Sequence, residues 1–350
     1  MEDTLVTIIM PVYNAELYLR DAIESVLAQS YKKFIFMIIN DGSTDQSETI
    51  ILEYKDERIQ YISNEENLGI VKTLNKGIAL SHTKYISRMD ADDICDPKRL
   101  ERQISVMEKD SQITLLGTWA ELIDEKGKAV GKLTPYTDDK SIRTALLFSN
   151  IFVHSSVMIR RCILEKNHWK YEENHKAVED YGLWTKISNQ YKVEILPEML
   201  LKYRLNTNGI MSNENKNITG MLKNRSVIYE YLLSEMKIDV SNKGIFDYTV
   251  FVNGYTEVID LQYIIKLLSK IRFKILKEDT YDVNLFDNFV SGLYRGYSYH
   301  NNISIYEFYK YLLENYIWKN PKVLKETVKY FMTKMKNSLQ IKSQAEINEL

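Results

Sequence analysis

Asp90, Asp92 and Asp93 stand together in Asp90-Ala91-Asp92-Asp93, directly after the apolar run Tyr85–Met89. In an extended segment residues two apart project to one side, so Asp90 and Asp92 can face a single ligand. Paired carboxylates suit Mg2+ or Mn2+ and leave coordination positions for phosphate oxygens. The same residues can equally be an acidic loop capping a helix at Pro97. Glu179-Asp180 precedes an apolar and aromatic stretch with Leu183, Trp184 and Ile187. A carboxylate beside such a wall can act as general base toward a hydroxyl; the alternative is an N-terminal helix cap. Asp41, before Gly-Ser-Thr-Asp, can accept a hydrogen bond from a base N–H or serve an ordinary turn. Asn67-Leu68-Gly69 with Lys72, Asn75 and Gly77 either brings backbone and a lysine close to phosphate or simply starts a helix. Arg204, after Tyr203, can approach a diphosphate or form a surface ion pair.

These residues need elements to hold them. Val6–Val12, Phe34–Ile39, Ile59–Ile62 and Tyr85–Met89 read as strands. Helical patterns separate them at Leu17–Gln29 (Leu19, Ile23, Val26 and Leu27 on one face), after a capping box of Ser43 and Gln46, and at Gly69–Leu80. A further helix is expected at Pro97, capped by Asp96. Strands alternating with helices imply a mostly parallel sheet covered on both faces. Ligands collect at the carboxyl ends of such strands, where Tyr13-Asn14, Asn40–Asp45 and Asp90–Asp93 all fall. The expected fold class is therefore α/β. From about Asn215 strand signals fade and helical spacing takes over, as in Asp260–Lys277, a Ser304–Glu307 capping box and a helix opening at Pro321. The expected domains are 1–215 and a helical 216–350.

The chain has 350 residues, 45% hydrophobic and 27% charged, with a formal net charge of −2. That charge gives no general attraction to nucleic acid. Two cysteines, Cys95 and Cys162, argue against a disulfide framework and for a reducing cytoplasm, with both thiols used in packing. No secretion signal or membrane-spanning run is apparent. The last helical pattern places Leu324, Val328, Phe331, Met332, Met335 and Leu339 on one face, flanked by Lys322, Lys325, Lys329, Lys334 and Lys336. Such a helix can lie on the anionic inner face of a membrane or pack on the C-terminal bundle.

The ordered set Thr7–Asn14, Ile39–Asp45, Asn67–Gly69 with Asn75–Gly77, Arg88–Asp93 with Pro97, and Glu179-Asp180 with Leu183-Trp184 resembles family 2 glycosyltransferases of the GT-A fold. The resemblance covers roughly residues 5–212. It implies a Rossmann-like mixed sheet and an inverting, metal-dependent hexosyltransferase using a nucleotide sugar, UDP-linked by family tendency. The acceptor hydroxyl would belong to a glycan or lipid-linked carrier in bacterial surface polysaccharide assembly. By the same resemblance, Pro11, Val12, Tyr13, Asn14 and Asp41 would hold the nucleotide. Asp90, with Ala91, would lie near ribose and metal, and Asp92 would bind Mn2+ or Mg2+. Asp180 would be the base, with Glu179 beside it. Two positions depart from the pattern. Asn206 stands where many relatives have histidine, and Leu74 stands for an arginine before Asn75, which leaves Lys72 as the candidate phosphate contact. His154 can line the acceptor side or be structural. The competing readings are a catalytically inactive nucleotide-sugar-binding protein and an NAD-dependent oxidoreductase; the lack of Gly-x-Gly-x-x-Gly after the first strand counts against the latter.

Overall fold

The computed structural model describes residues 4–175, 177–206, 218–255 and 259–301. The chain divides into two compact units, residues 1–228 and 229–350.

The first unit is built on a continuous apolar run. All seven residues of β1 (Val6–Val12) are buried, which requires cover on both faces of the sheet. Its polar Thr7 is satisfied by Thr83 through a 2.8 Å hydroxyl contact. β1 pairs in parallel with β2 (Phe34–Asn40) and β4 (Tyr85–Arg88), and β2 with β3 (Ile59–Ser63). Beyond β4 come β5 (Ile94–Cys95), β6 (Ile113–Ile123), β7 (Ala129–Leu133), β8 (Met158–Arg160) and β9 (Lys192–Arg204), and the sheet order is β3-β2-β1-β4-β8-β6-β9-β5, with β7 on β6. β8 lies antiparallel between β4 and β6. β6 runs parallel to β9, which pairs antiparallel with the short β5. The result is a mixed α/β sheet whose first four strands are parallel.

Helices α1 (Leu19–Leu27), α2 (Ser47–Glu53), α3 (Ile70–Leu80) and α4 (Arg99–Lys109) alternate with the first strands. α1 buries Leu19, Ile23 and Val26 as its spacing predicts, together with Ala22, whereas Leu27 is only partly buried. α3 approaches the sheet closely at Gly77, where an added Cβ would lie 2.7 Å from Ile9 Cγ2. α5 (Asp139–Leu146), α6 (Arg161–Asn167) and α7 (Glu179–Gln190) complete the unit.

Three local expectations change. Ser43 and Gln46 form no capping box: α2 starts at Ser47 without a side-chain cap, and Ser43 Oγ instead accepts the Asn14 N–H. α4 begins at Arg99 rather than Pro97, because Asp96 Oδ1 accepts the Lys98 N–H and folds residues 96–98 into a turn first. Cys95 is buried, but Cys162 is exposed on α6 and is not a packing residue.

The second unit is helical, with α8 (Ile218–Glu235) leading into it, then α9 (Asn242–Val252), α10 (Leu261–Lys277) and α11 (Val283–Asn301). Asp260 caps α10 by accepting the Tyr263 N–H, and Ser241 caps α9 through Gly244. Arg272 of α10 forks onto Asp287 of α11 at 2.8 and 2.9 Å. Among the described residues no helix is long and apolar enough to cross a membrane. The Ser304–Glu307 box, the Pro321 helix and the basic amphipathic pattern all lie outside the described residues.

Candidate active site

After β4 the chain does not continue as an extended segment; Ala91 and Asp92 form a turn. Strand alternation would have paired only Asp90 with Asp92. The turn gathers three carboxylates, so that oxygens of Asp90, Asp92 and Asp93 all lie within 4.8 Å of one another. Ala91 between them is buried. Asp93 is buried too; its Oδ1 accepts the Arg204 N–H at 2.8 Å, whereas its Oδ2 is buried without a hydrogen-bond partner. Burial, then the charges of Asp90 and Asp92, hold the Asp93 carboxyl well above its ordinary range. Asp92 is raised for the same reasons, burial first and then Asp90. A cluster whose anionic forms are this penalised is short of positive charge.

Fixed neighbours hold the turn against that repulsion. The buried Arg88 guanidinium pairs with Asp90 and donates to Ser155 Oγ. Ser155 Oγ donates in turn to Asp90 Oδ2 and accepts the Asp90 N–H, both at 2.9 Å. Arg99, fully buried, donates to Ser155 O and Arg88 O, tying β4 to the 3-10 turn His154–Ser156. Arg204 Nε donates to Asp92 O at 2.8 Å, its Nη1 reaches the carbonyls of Asp124 and Glu125, and its guanidinium stacks on Tyr18. With its side chain 2% exposed, Arg204 is a clamp on the acidic turn, and its Nη2 also lies 3.8 Å from the carboxylate of exposed Asp21. Asn206 Nδ2 faces Asp92 Oδ2 at 3.5 Å.

The second pair of carboxylates opens α7. No side chain caps this helix, so Glu179 and Asp180 occupy its first turn rather than its cap. Asp180 is half-buried; its Oδ1 accepts the Tyr181 N–H at 2.6 Å and its Oδ2 accepts Asn150 Nδ2 at 2.7 Å. Burial pushes the carboxyl up to about 6, against those two donors and the charge of Arg88. Glu179 is buried, with Oε2 unpartnered, and is also raised, first by burial and then by Asp180. The charges of Arg88 and Asp90 act on both carboxyls, so α7 and the acidic turn share one electrostatic environment. The apolar wall comes from Trp184, Tyr171 and His154. His154 Nε2 lies 2.9 Å from the Tyr171 hydroxyl, and both rings stand edge-on to Trp184. Burial, and then Arg88, keep His154 neutral. Asn75 brackets the Tyr171 backbone at 2.8 and 3.0 Å, linking α3 to this wall.

The remaining candidates lie at the ends of β1 and β2. Pro11 and Val12 are buried, while Tyr13 is 50% exposed. Asn14, at φ 49°, accepts the Thr44 N–H through its side chain and so joins the β1 loop to the β2 loop. Asp41 is buried and its carboxylate accepts three donors, from Asn64 Nδ2, Leu68 N–H and Gly69 N–H. It thereby fixes the exposed loop that carries Asn67. Gly42 makes this possible: its φ is +70°, and a Cβ there would lie 2.6 Å from Glu66 C. Lys76, not Lys72, joins the network, donating to Asn64 Oδ1 at 2.6 Å. Lys72 is 54% exposed and faces Glu173 at 3.9 Å. Leu74 is a core residue, which accounts for an apolar side chain at that position.

The fold thus brings Asp90, Asp92 and Arg204 together and sets Glu179 and Asp180 in the same field, whereas Lys72 stays on the α3 surface. Sequence reasoning assigned no role to Asp93, Arg88, Ser155 or Asn150. Asp93 and Arg88 were visible in the motif, but Ser155 and Asn150 are 65 and 30 positions from their partners, and nothing local signals them.

A family model described as glycosyl transferase family 2 matches residues 7–167. An uncharacterized glycosyltransferase of Methanocaldococcus jannaschii is 41% identical over 211 residues, 59% of this chain and 72% of the relative. Another, from Haemophilus influenzae, is 30% identical over 315 residues, 77% of this chain and 97% of the relative. Among solved structures, S. aureus TarS 1-349 in complex with UDP-GlcNAc has a TM-score of 0.58 at 16% identity, covering 85% of this chain and 88% of that one. The mannosyltransferase PcManGT from Pyrobaculum calidifontis, with GDP-Man and Mn2+, has a TM-score of 0.51 at 13% identity, covering 93% and 83%.

Proposed function

Because this chain belongs to glycosyl transferase family 2, we propose that it is an inverting, divalent-metal-dependent transferase moving a sugar from a UDP-linked donor to an acceptor hydroxyl. A glycan or lipid-linked carrier of the cell surface, reached from the cytoplasmic side, is the acceptor this reading favours. The observation that carries it is a raised carboxyl, Asp180, in the same field as three mutually close carboxylates. TarS bound to UDP-GlcNAc supports a UDP-linked donor, and PcManGT with Mn2+ supports the metal.

The residues fit a hard cation. Asp90, Asp92 and Asp93 offer oxygen donors only, and the orphaned Asp93 Oδ2 is the kind of buried atom such an ion would satisfy. We assign Asp92 and Asp90 as metal-holding residues, with Asp93 behind them. When bound, Mn2+ or Mg2+ would offset the charge of a departing diphosphate.

The chain's own groups do the rest. Asp41 has about one lone-pair site left of the roughly four on a carboxylate, enough to accept a base N–H. Tyr13, half-exposed, can cover the base, while Pro11, Val12, Asn14 and Asn67 shape the pocket around it. Asp180 takes the proton of the acceptor hydroxyl, and Asn150 and the Tyr181 N–H fix the carboxylate's orientation. The acceptor oxygen bonds to the anomeric carbon as the bond to the diphosphate oxygen breaks, with attack from the opposite face and inversion. A carboxyl raised toward neutrality is a stronger base than an ordinary aspartate while still ionised at pH 7.

Screening UDP-sugars with Mn2+ by thermal shift, followed by donor turnover, tests this reading. Stabilisation by one UDP-sugar with slow hydrolysis is expected. Stabilisation without turnover toward water or any glycan acceptor would identify a binding protein instead, and no stabilisation would overturn the donor assignment.

A further inference from the structure

α10 (Leu261–Lys277) is apolar on its inner face, where Ile264, Ile265, Leu267, Leu268, Ile271 and Ile275 are buried. Its outer face is unusual. Phe273 is 60% exposed and Leu276 is 56% exposed, although the helix has already used its amphipathic stripe for packing. Lys266, Lys270, Phe273 and Lys277 are spaced by four, three and four residues, which places them in one row along the outer surface. Lys277 Nζ sits over the Phe273 ring, 4.2 Å from its centre.

The charge on this helix is one-sided. Its seventeen residues contain no Asp or Glu. Arg272 is neutralised by Asp287, and Lys274 by Glu278. Lys266, Lys270 and Lys277 make no ion pair among the described residues. The outer face is therefore a row of uncompensated ammonium groups with a phenyl and an isobutyl group among them.

We propose that the outer face of α10 docks on an anionic lipid surface. The chemistry matches both layers of such a surface. Lysine ammoniums meet headgroup phosphates, while Phe273 and Leu276 enter the headgroup–acyl boundary. A nucleic acid would recognise the lysines but leave both apolar side chains in water. The helix is not long and apolar enough to span a bilayer, so it lies along the surface. This surface is separate from the C-terminal pattern at residues 322–339 and does not depend on the donor or metal assignments.

The test is flotation of the full chain with two kinds of vesicle, phosphatidylcholine alone and phosphatidylcholine with about one-third phosphatidylglycerol. The wild type is expected to float with the anionic vesicles only. Lys270→Glu/Lys277→Glu should lower that affinity by at least about tenfold, and Phe273→Ser/Leu276→Ser should lower it comparably, since both layers contribute. All four positions are exposed, so both double variants should melt like the wild type in the absence of vesicles, which serves as the folding control. Failure of the wild type to float, or flotation of both double variants like wild type, would overturn the proposal. So would binding to a duplex oligonucleotide without binding to vesicles.

Discussion

Replacing Asp180 by asparagine should make the protein more stable and catalytically inert, with a pH dependence that identifies the cause. The folded carboxyl is raised to about 6 from an ordinary 3.8, so the native state binds its proton more tightly than the unfolded chain. The wild type therefore loses stability as pH rises from about 4 through about 6, and by pH 8 the whole loss is in place. Two pK units correspond to about 3 kcal/mol. Asparagine never ionises, so it escapes this cost. It has one acceptor oxygen for two donors, Asn150 Nδ2 and the Tyr181 N–H, and leaving one unmet costs about 1 kcal/mol. The net gain at pH 8 is about 1–2 kcal/mol, or a rise in Tm of about 2–8 °C for a unit of this size. At pH 4.5 the wild-type carboxyl is protonated and the gain should vanish or reverse. Transfer should fall by about 10²–10⁴, the usual worth of a general base, while affinity for UDP with Mn2+ stays within about twofold. Melting curves at the two pH values, with isothermal titration of UDP, decide the matter. Equal Tm shifts at both pH values would refute the electrostatic reasoning; near-wild-type turnover would remove Asp180 as base.

Three further outcomes follow from the same geometry. Asn150→Leu removes a hydrogen bond that favours the charged carboxylate. The acid limb of kcat/KM against pH should then move up by about one unit, with UDP affinity unchanged; an unmoved limb would deny the contact a role. Asp92→Asn removes one of three mutually close carboxylates, so Mn2+-dependent UDP affinity should drop by at least about tenfold, measured by titration with and without the ion; retained dependence would shift the assignment to Asp90 and Asp93. Gly42→Ala forces a side chain to φ +70° against Glu66. It should cost about 1–3 kcal/mol and weaken UDP binding through the 66–69 loop, seen as lower Tm and raised Kd together.

Sequence conveyed strands well wherever burial on both faces made them continuously apolar, as in β1 and β2. It conveyed site residues where one motif supplied several together. It misjudged what a turn does. Residues 90–93 looked like a strand end with alternating side chains, but a turn gathers three carboxylates rather than two. Arg204 looked available because a local window shows no partners. The carbonyls of Asp92, Asp124 and Glu125 that consume it are about 80 and 112 positions away in sequence. Lys72 and Lys76 are one helical turn apart and equally plausible on sequence. Only the position of Asn64 decides that Lys76 enters the Asp41 network.

The same contacts explain how the fold tolerates a poorly neutralised site. Five carboxyls, Asp90, Asp92, Asp93, Glu179 and Asp180, share a region in which Arg88 is the one guanidinium paired directly with any of them among the described residues. Arg99 and Arg204 are nearby, but their donors go chiefly to backbone carbonyls. They hold the chain's path rather than cancel its charge. Geometry is thereby fixed by backbone-directed arginines, while Asp92, Asp93, Glu179 and Asp180 are left raised. Pairing each acid with its own arginine would have neutralised the site and left no carboxylate for the cation and acceptor proton proposed above. The cost falls on local stability and is offset by the buried sheet on either side of the turn, which is the usual distribution of strain around a functional site.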